Sequence, residues 1–160
     1  MFTFNDICNI AVQIERNGET TYRRASSATD DPEIAATLDW MADQERHHAQ
    51  WFESIQSAKP MTAEQEEMEA MGKSLLQEMI KGNEFLLSQS DLEQSESIVE
   101  VLEKSKTFEQ DTILFYEFLL DVIDDKESIR KMNRIIEEEN NHVRELDRLE
   151  KLDSREQVKA

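Results

Sequence analysis

Glycine and proline are scarce in this chain, at 3 and 2 among 160 residues. A turn-rich all-β fold or a disordered low-complexity chain would need far more of both. Cysteine is scarcer still. Cys8 stands alone, so there is no internal disulfide and no CxxC pair to hold zinc or an iron–sulfur centre, which suits a reducing compartment. Basic residues are outnumbered, 18 Lys+Arg against 36 Asp+Glu, and the formal net charge is −18. A chain so acidic repels nucleic-acid phosphates and anionic membrane surfaces and attracts cations. Long hydrophobic runs are missing too: the greasiest stretch, Ile113 to Ile123, is broken by Glu117 and Asp121 and is too short for a membrane span. Met1 to Asp6 has neither a basic region nor a continuous apolar one, so it does not read as a secretory signal. The expectation is a soluble, cytoplasmic, all-α protein with no nucleic-acid or membrane partner.

What the chain does have is helical periodicity. A first helix, about Asn5 to Ser27, puts Ile7, Ala11, Ile14, Gly18, Tyr22 and Ala25 on one face. Asp31, Pro32 and Glu33 then open a second helix: a capping oxygen, a proline at the first position and an acid facing the helix dipole. This helix carries Ile34, Leu38, Met41, Glu45, His48, Phe52 and Ile55, and Lys59-Pro60 marks its expected end. Thr62 and Gln65 fit a capping box for a shorter middle helix with Met68, Met71, Leu75 and Met79 on one side. Leu102, Ser105, Glu109, Thr112, Tyr116, Leu119 and Ile123 mark another long helix, and Ile129, Met132, Ile136, Glu139, His142 or Val143, Leu146 and Leu149 the last. Ser154 to Ala160 reads as a frayed tail.

The most informative feature is an internal repeat. Shifted by 94 residues, Glu15 falls on Glu109, Tyr22 on Tyr116, Asp30-Asp31 on Asp124-Asp125, Glu45 on Glu139 and His48 on His142. Two copies of one helical hairpin are thus expected (about 5–58 and about 92–153), joined by a crossover of about 59–91, within one domain spanning 1–160. In each copy the two glutamates are equidistant from the Asp-Asp turn. Both arms of an antiparallel hairpin rise equally per residue, so Glu15 should face Glu45, and Glu109 should face Glu139. His48 and His142 follow three residues after a glutamate, on the same helix face.

If the hairpins pack together, four carboxylates and two imidazoles converge in the core. Each buried unpaired carboxylate costs several kcal/mol, and like charges add to that. Two divalent cations balance four carboxylates, and neutral imidazoles complete the coordination. Such a mixed N/O donor set suits iron or manganese better than structural zinc.

The residues that carry this pattern are Ile14-Glu15 through Tyr22, Glu45-Arg46-His47-His48 with Phe52, Glu109 through Phe115-Tyr116, and Glu139-Asn140-Asn141-His142 with Leu146. Over roughly residues 5 to 150 the chain resembles the rubrerythrin branch of the ferritin-like di-iron carboxylate superfamily. The resemblance implies a ferritin-like four-helix bundle holding two iron ions, with manganese or zinc as substitutes. Glu45 and Glu139 would bridge the metals, Glu15 and Glu109 would be terminal ligands, and His48 and His142 would each hold one metal. It further implies an oxidoreductase that reduces hydrogen peroxide or dioxygen with electrons from an external donor, in a homodimer. The alternative is an iron-binding, storage or trafficking protein with ferroxidase activity.

Two departures from the family accompany the match. With Cys8 alone, these 160 residues supply no four-cysteine rubredoxin-type centre. Where rubrerythrins tend to have a further glutamate, three residues after the ligand on the third long helix, this chain has Thr112, and its repeat partner is Gly18. Gly18 in mid-helix costs about 1 kcal/mol relative to alanine, so it should serve either close helix packing or space beside the metals. Tyr22 and Tyr116 are expected to orient ligand carboxylates through their hydroxyls or simply to pack in the core. His47 reads as a surface residue.

Overall fold

A computed structural model describes residues 4–56 and 97–159, with Ala63, Glu67 and Ala70 in helical conformation between them. The described elements are α1 (Phe4–Ala28), α2 (Pro32–Ser54), α3 (Ile98–Val122) and α4 (Lys126–Lys159). All four are helices, as the scarcity of helix breakers implies, and no strand occurs among the described residues. None of these helices is long and apolar enough to cross a membrane. The repeat is visible in the helix boundaries. Val122 ends α3 94 residues after Ala28 ends α1, and Lys126 opens α4 94 residues after Pro32 opens α2.

Each tight connection is set by an aspartate. Asp31 caps α2: its Oδ1 accepts from the backbone N–H of Glu33 (2.8 Å) and Ile34 (3.2 Å), with Pro32 at the first helical position. Asp125 plays the same part before α4, accepting from Ser128 N–H at 2.8 Å. The short links force antiparallel pairs. Arg23 of α1 reaches Asp39 and Asp43 of α2, Arg16 reaches Glu53, and Lys106 of α3 reaches Asp147 of α4 at 2.7 Å. The two pairs then face each other so that the first half of α1 packs on the second half of α3.

Two apolar clusters result. One gathers Ile7, Ile14, Phe52, Phe108, Phe115 and Leu119; the other gathers Ile34, Leu38, Met41, Leu102, Leu146 and Leu149. Cys8 is a buried free thiol, and burial pushes its pKa up to about 12, so it stays protonated.

Three boundaries differ from the sequence reading. α2 stops at Ser54, before Lys59-Pro60; Ser54 turns its hydroxyl onto Trp51 O at 2.6 Å, and Ile55 N–H closes the helix on the same carbonyl. α3 begins only at Ile98, with Ser97 as its cap accepting from Glu100 N–H. The expected frayed tail is helical to Lys159: the stretch from Ser154 to Ala160 contains no glycine or proline to stop it, and Ser154 bonds Glu150 O at 3.0 Å. Nearly all of the middle helix expected after Thr62 lies outside the described residues.

Candidate metal centre

The six glutamates and histidines singled out by the repeat meet in the middle of the bundle. Glu15, Glu45, Glu109 and Glu139 have no exposed surface, nor does His142, and His48 is 2% exposed. One comes from each of α1 and α3, and a Glu-x-x-His pair from each of α2 and α4. The helical repeat of 3.6 residues keeps each such pair on the core-facing stripe, so the apolar pattern that buries Met41 and Phe52 also buries Glu45 and His48.

Two overlapping groups form. Glu15, Glu45, His48 and Glu139 offer one ligand atom each within 4.8 Å of one another, and so do Glu45, Glu109, Glu139 and His142. Glu45 and Glu139 belong to both. Glu139 sets Oε1 at 2.7 Å from His48 Nδ1 and Oε2 at 3.7 Å from His142 Nδ1, one oxygen toward each imidazole. Glu45 Oε1 lies 2.9 Å from His142 Nδ1. The imidazole rings stack loosely, 6.4 Å between centroids.

The far sides of the ligands are tied down. The Tyr22 hydroxyl donates to Glu109 Oε1, and the Tyr116 hydroxyl donates to Glu15 Oε1. Each tyrosine therefore supports a carboxylate of the other hairpin, and both rings are buried core residues as well. His48 Nε2 is 2.6 Å from Glu138 Oε2, and His142 Nε2 is 2.6 Å from Gln44 Oε1. Each Nε2 has an acceptor outside the cluster, so a neutral ring can keep its proton there and offer Nδ1 to a cation in place of the proton that Nδ1 carries in imidazolium.

Inside the cluster the donors go unmet. Glu15 Oε2, both oxygens of Glu45 and Glu139, Glu109 Oε2 and His48 Nδ1 are buried without a hydrogen-bond partner, although several are close to one another. Buried polar atoms are almost always satisfied. A set of carboxylate oxygens and an imidazole nitrogen left open toward a common centre fits divalent cations.

The electrostatics agree. Burial, followed by the charges of neighbouring carboxylates, holds Glu45 and Glu109 well above the usual carboxylate range. Burial also opposes the charge on Glu139, but contacts with protonated Glu109 and with His142 outweigh it and hold Glu139 well below that range. Burial likewise works against imidazolium at both histidines; Glu15 raises His48 nonetheless, and Glu139 and Glu109 bring His142 to about 10. Without cations, protons neutralise the cluster.

Gly18 has a specific neighbour. A Cβ there would lie 2.6 Å from Glu45 Oε2. The missing side chain makes room for the Glu45 carboxylate, a use narrower than either helix packing or free space. Thr112 is buried and turns its hydroxyl back onto Phe108 O at 2.8 Å. His47 is exposed. Sequence reading missed Gln44 and Glu138. Their signal is present, since each directly precedes the glutamate of a Glu-x-x-His pair and the two are 94 residues apart. Each reaches the histidine of the other hairpin, however, which only the packing of α2 on α4 reveals.

A solved structure from Thermotoga maritima, described as that of a ferritin-like diiron-carboxylate protein, superposes with a TM-score of 0.69 at 22% identity, covering 93% of this chain and 95% of that one. At that identity the likeness speaks for the fold: a ferritin-like helical bundle. No curated protein matches the sequence. The Rubrerythrin family model matches residues 6–150, a span that contains most of both hairpins and every residue of the cluster. By that match, the chain belongs to the rubrerythrin family.

Proposed function

We propose that the chain is a di-iron oxidoreductase that reduces hydrogen peroxide or dioxygen. In this reading Glu45 and Glu139 would be shared by two cations, Glu15 with His48 would complete one position, and Glu109 with His142 would complete the other. The observation that carries it is Glu139, buried and presenting one oxygen to each imidazole. Bound iron supplies one-electron redox chemistry at each position, so that a pair delivers the two electrons that turn H2O2 and two protons into water.

The protein's own part is preorganisation. Tyr22 and Tyr116 fix Glu109 and Glu15 through their outer oxygens, leaving the inner ones for a cation. Glu138 and Gln44 hold the Nε2 protons, which keeps Nδ1 of each histidine free to bind. The two apolar clusters flank the centre and limit water, so that charges there interact strongly. Electrons return from an external donor, and we place the protein in the cytoplasm as a homodimer.

The test is an anaerobic Fe²⁺ titration of the metal-free protein, followed by matched additions of H2O2 and O2 under visible absorption. Two irons per chain and faster oxidation by peroxide support a peroxidase. Preferential reaction with O2, with further iron taken up on cycling, supports ferroxidase or storage instead. Unchanged metal content in Glu139→Ala sinks the ligand assignment.

A further inference from the structure

The two halves of the centre are related by the repeat, yet they are not alike where they touch His48 and His142 from outside. Position 44 corresponds to position 138 under the 94-residue shift. Both side chains make the same contact at the same distance: Glu138 Oε2 and Gln44 Oε1 each lie 2.6 Å from the Nε2 of a histidine. One is a carboxylate and the other a neutral amide. The next positions outward differ in the same sense. Arg134 Nε donates to Glu138 Oε1 at 3.3 Å, one helical turn away. Its counterpart under the shift is Trp40, whose ring packs edge-on against His142, 5.9 Å between centroids. His48 is thus backed by an ion pair, and His142 by an amide and an indole.

We infer that the two cation positions are unequal: the Glu15–His48 position binds a divalent cation first and more tightly, and Glu138 is the positioning residue that makes it so. The inference rests on the metal-binding reading above. An imidazole whose N–H is held by a carboxylate is a stronger donor through its other nitrogen than one held by an amide, and the carboxylate adds a negative charge near the cation. Arg134 offsets part of that charge while fixing the geometry. Changes to such outer partners alter metal affinity by about 10- to 100-fold. Glu45 and Glu139 belong to both positions.

Anaerobic Co²⁺ titration tests this without redox turnover. By calorimetry the unaltered protein should bind two Co²⁺ in steps separated by more than about tenfold. Glu138→Gln should weaken the first step until the two merge, and Gln44→Glu should strengthen the second until they merge at the tight end. Trp40 reports the order of filling in a Trp51→Phe background, because quenching by Co²⁺ beside His142 should accompany the second equivalent. In the exchanged protein, carrying both Gln44→Glu and Glu138→Gln, that quenching should move to the first. A merely structural role for Glu138 would not reverse the order. Two Co²⁺ bound with steps that neither substitution moves would overturn the inference and leave the metal centre standing. No Co²⁺ binding in any form would overturn both.

Discussion

Gly18 shows how one missing side chain serves the centre. Alanine there should gain about 1 kcal/mol of helix propensity, but its Cβ would fall on Glu45 Oε2. That oxygen ends a flexible side chain, so the strain is relieved by turning the carboxylate away. Gly18→Ala is therefore expected to melt within a few degrees of the parent while binding Co²⁺ about tenfold or more weakly; thermal melts and calorimetry on the same sample check both halves. The tyrosine hydroxyls differ in kind. Tyr116→Phe leaves Glu15 Oε1 buried without its donor, a loss of about 1–3 kcal/mol. Denaturant unfolding should register it in the metal-free protein, and less of it once cations neutralise Glu15. Equal losses with and without metal would mean that the hydroxyl acts on packing alone.

The helices were readable because amphipathic periodicity and aspartate caps are local signals. Asp31 illustrates this: both backbone N–H groups its side chain accepts from lie within three residues. Asp31→Ala should cost about 1 kcal/mol in chemical denaturation, with cation stoichiometry unchanged. The six clustered residues were readable for a second reason: charged side chains recurring within apolar stripes, twice, at one spacing. Boundaries without punctuation were harder, and α4 runs on to Lys159 for want of a residue to end it. Contacts between hairpins left no trace in periodicity. Tyr22 lies on the same helix as Glu15, yet bonds Glu109. Gln44 and Glu138 look like ordinary solvent-side residues until α2 and α4 are packed together.

At the scale of the molecule, the centre couples stability to pH and to cations. Histidines whose folded pKa is raised stabilise the fold fully below their unfolded pKa of about 6.5. That contribution is lost as pH rises through the folded value, about 10 for His142. Glu45 and Glu109, raised well above the carboxylate range, act with the same sign: once deprotonated they repel their neighbours. Metal-free protein should lose thermal stability between neutral pH and the His142 value of about 10, whereas the cation-loaded form, with its charges balanced, should change much less. Parallel melts with and without a strong chelator measure the difference. Cation binding near neutral pH should also release protons and strengthen as pH rises, which calorimetry in buffers of different ionisation enthalpy detects.

The crossed tyrosines carry a last consequence, one of ancestry. Because Tyr22 serves the carboxylate of the second hairpin and Tyr116 that of the first, a half-length chain could build such a centre only by pairing with a copy of itself. A pair of identical copies must place the same residue at both positions that back the histidines. With both halves in one polypeptide that constraint is absent, and position 44 carries Gln where position 138 carries Glu.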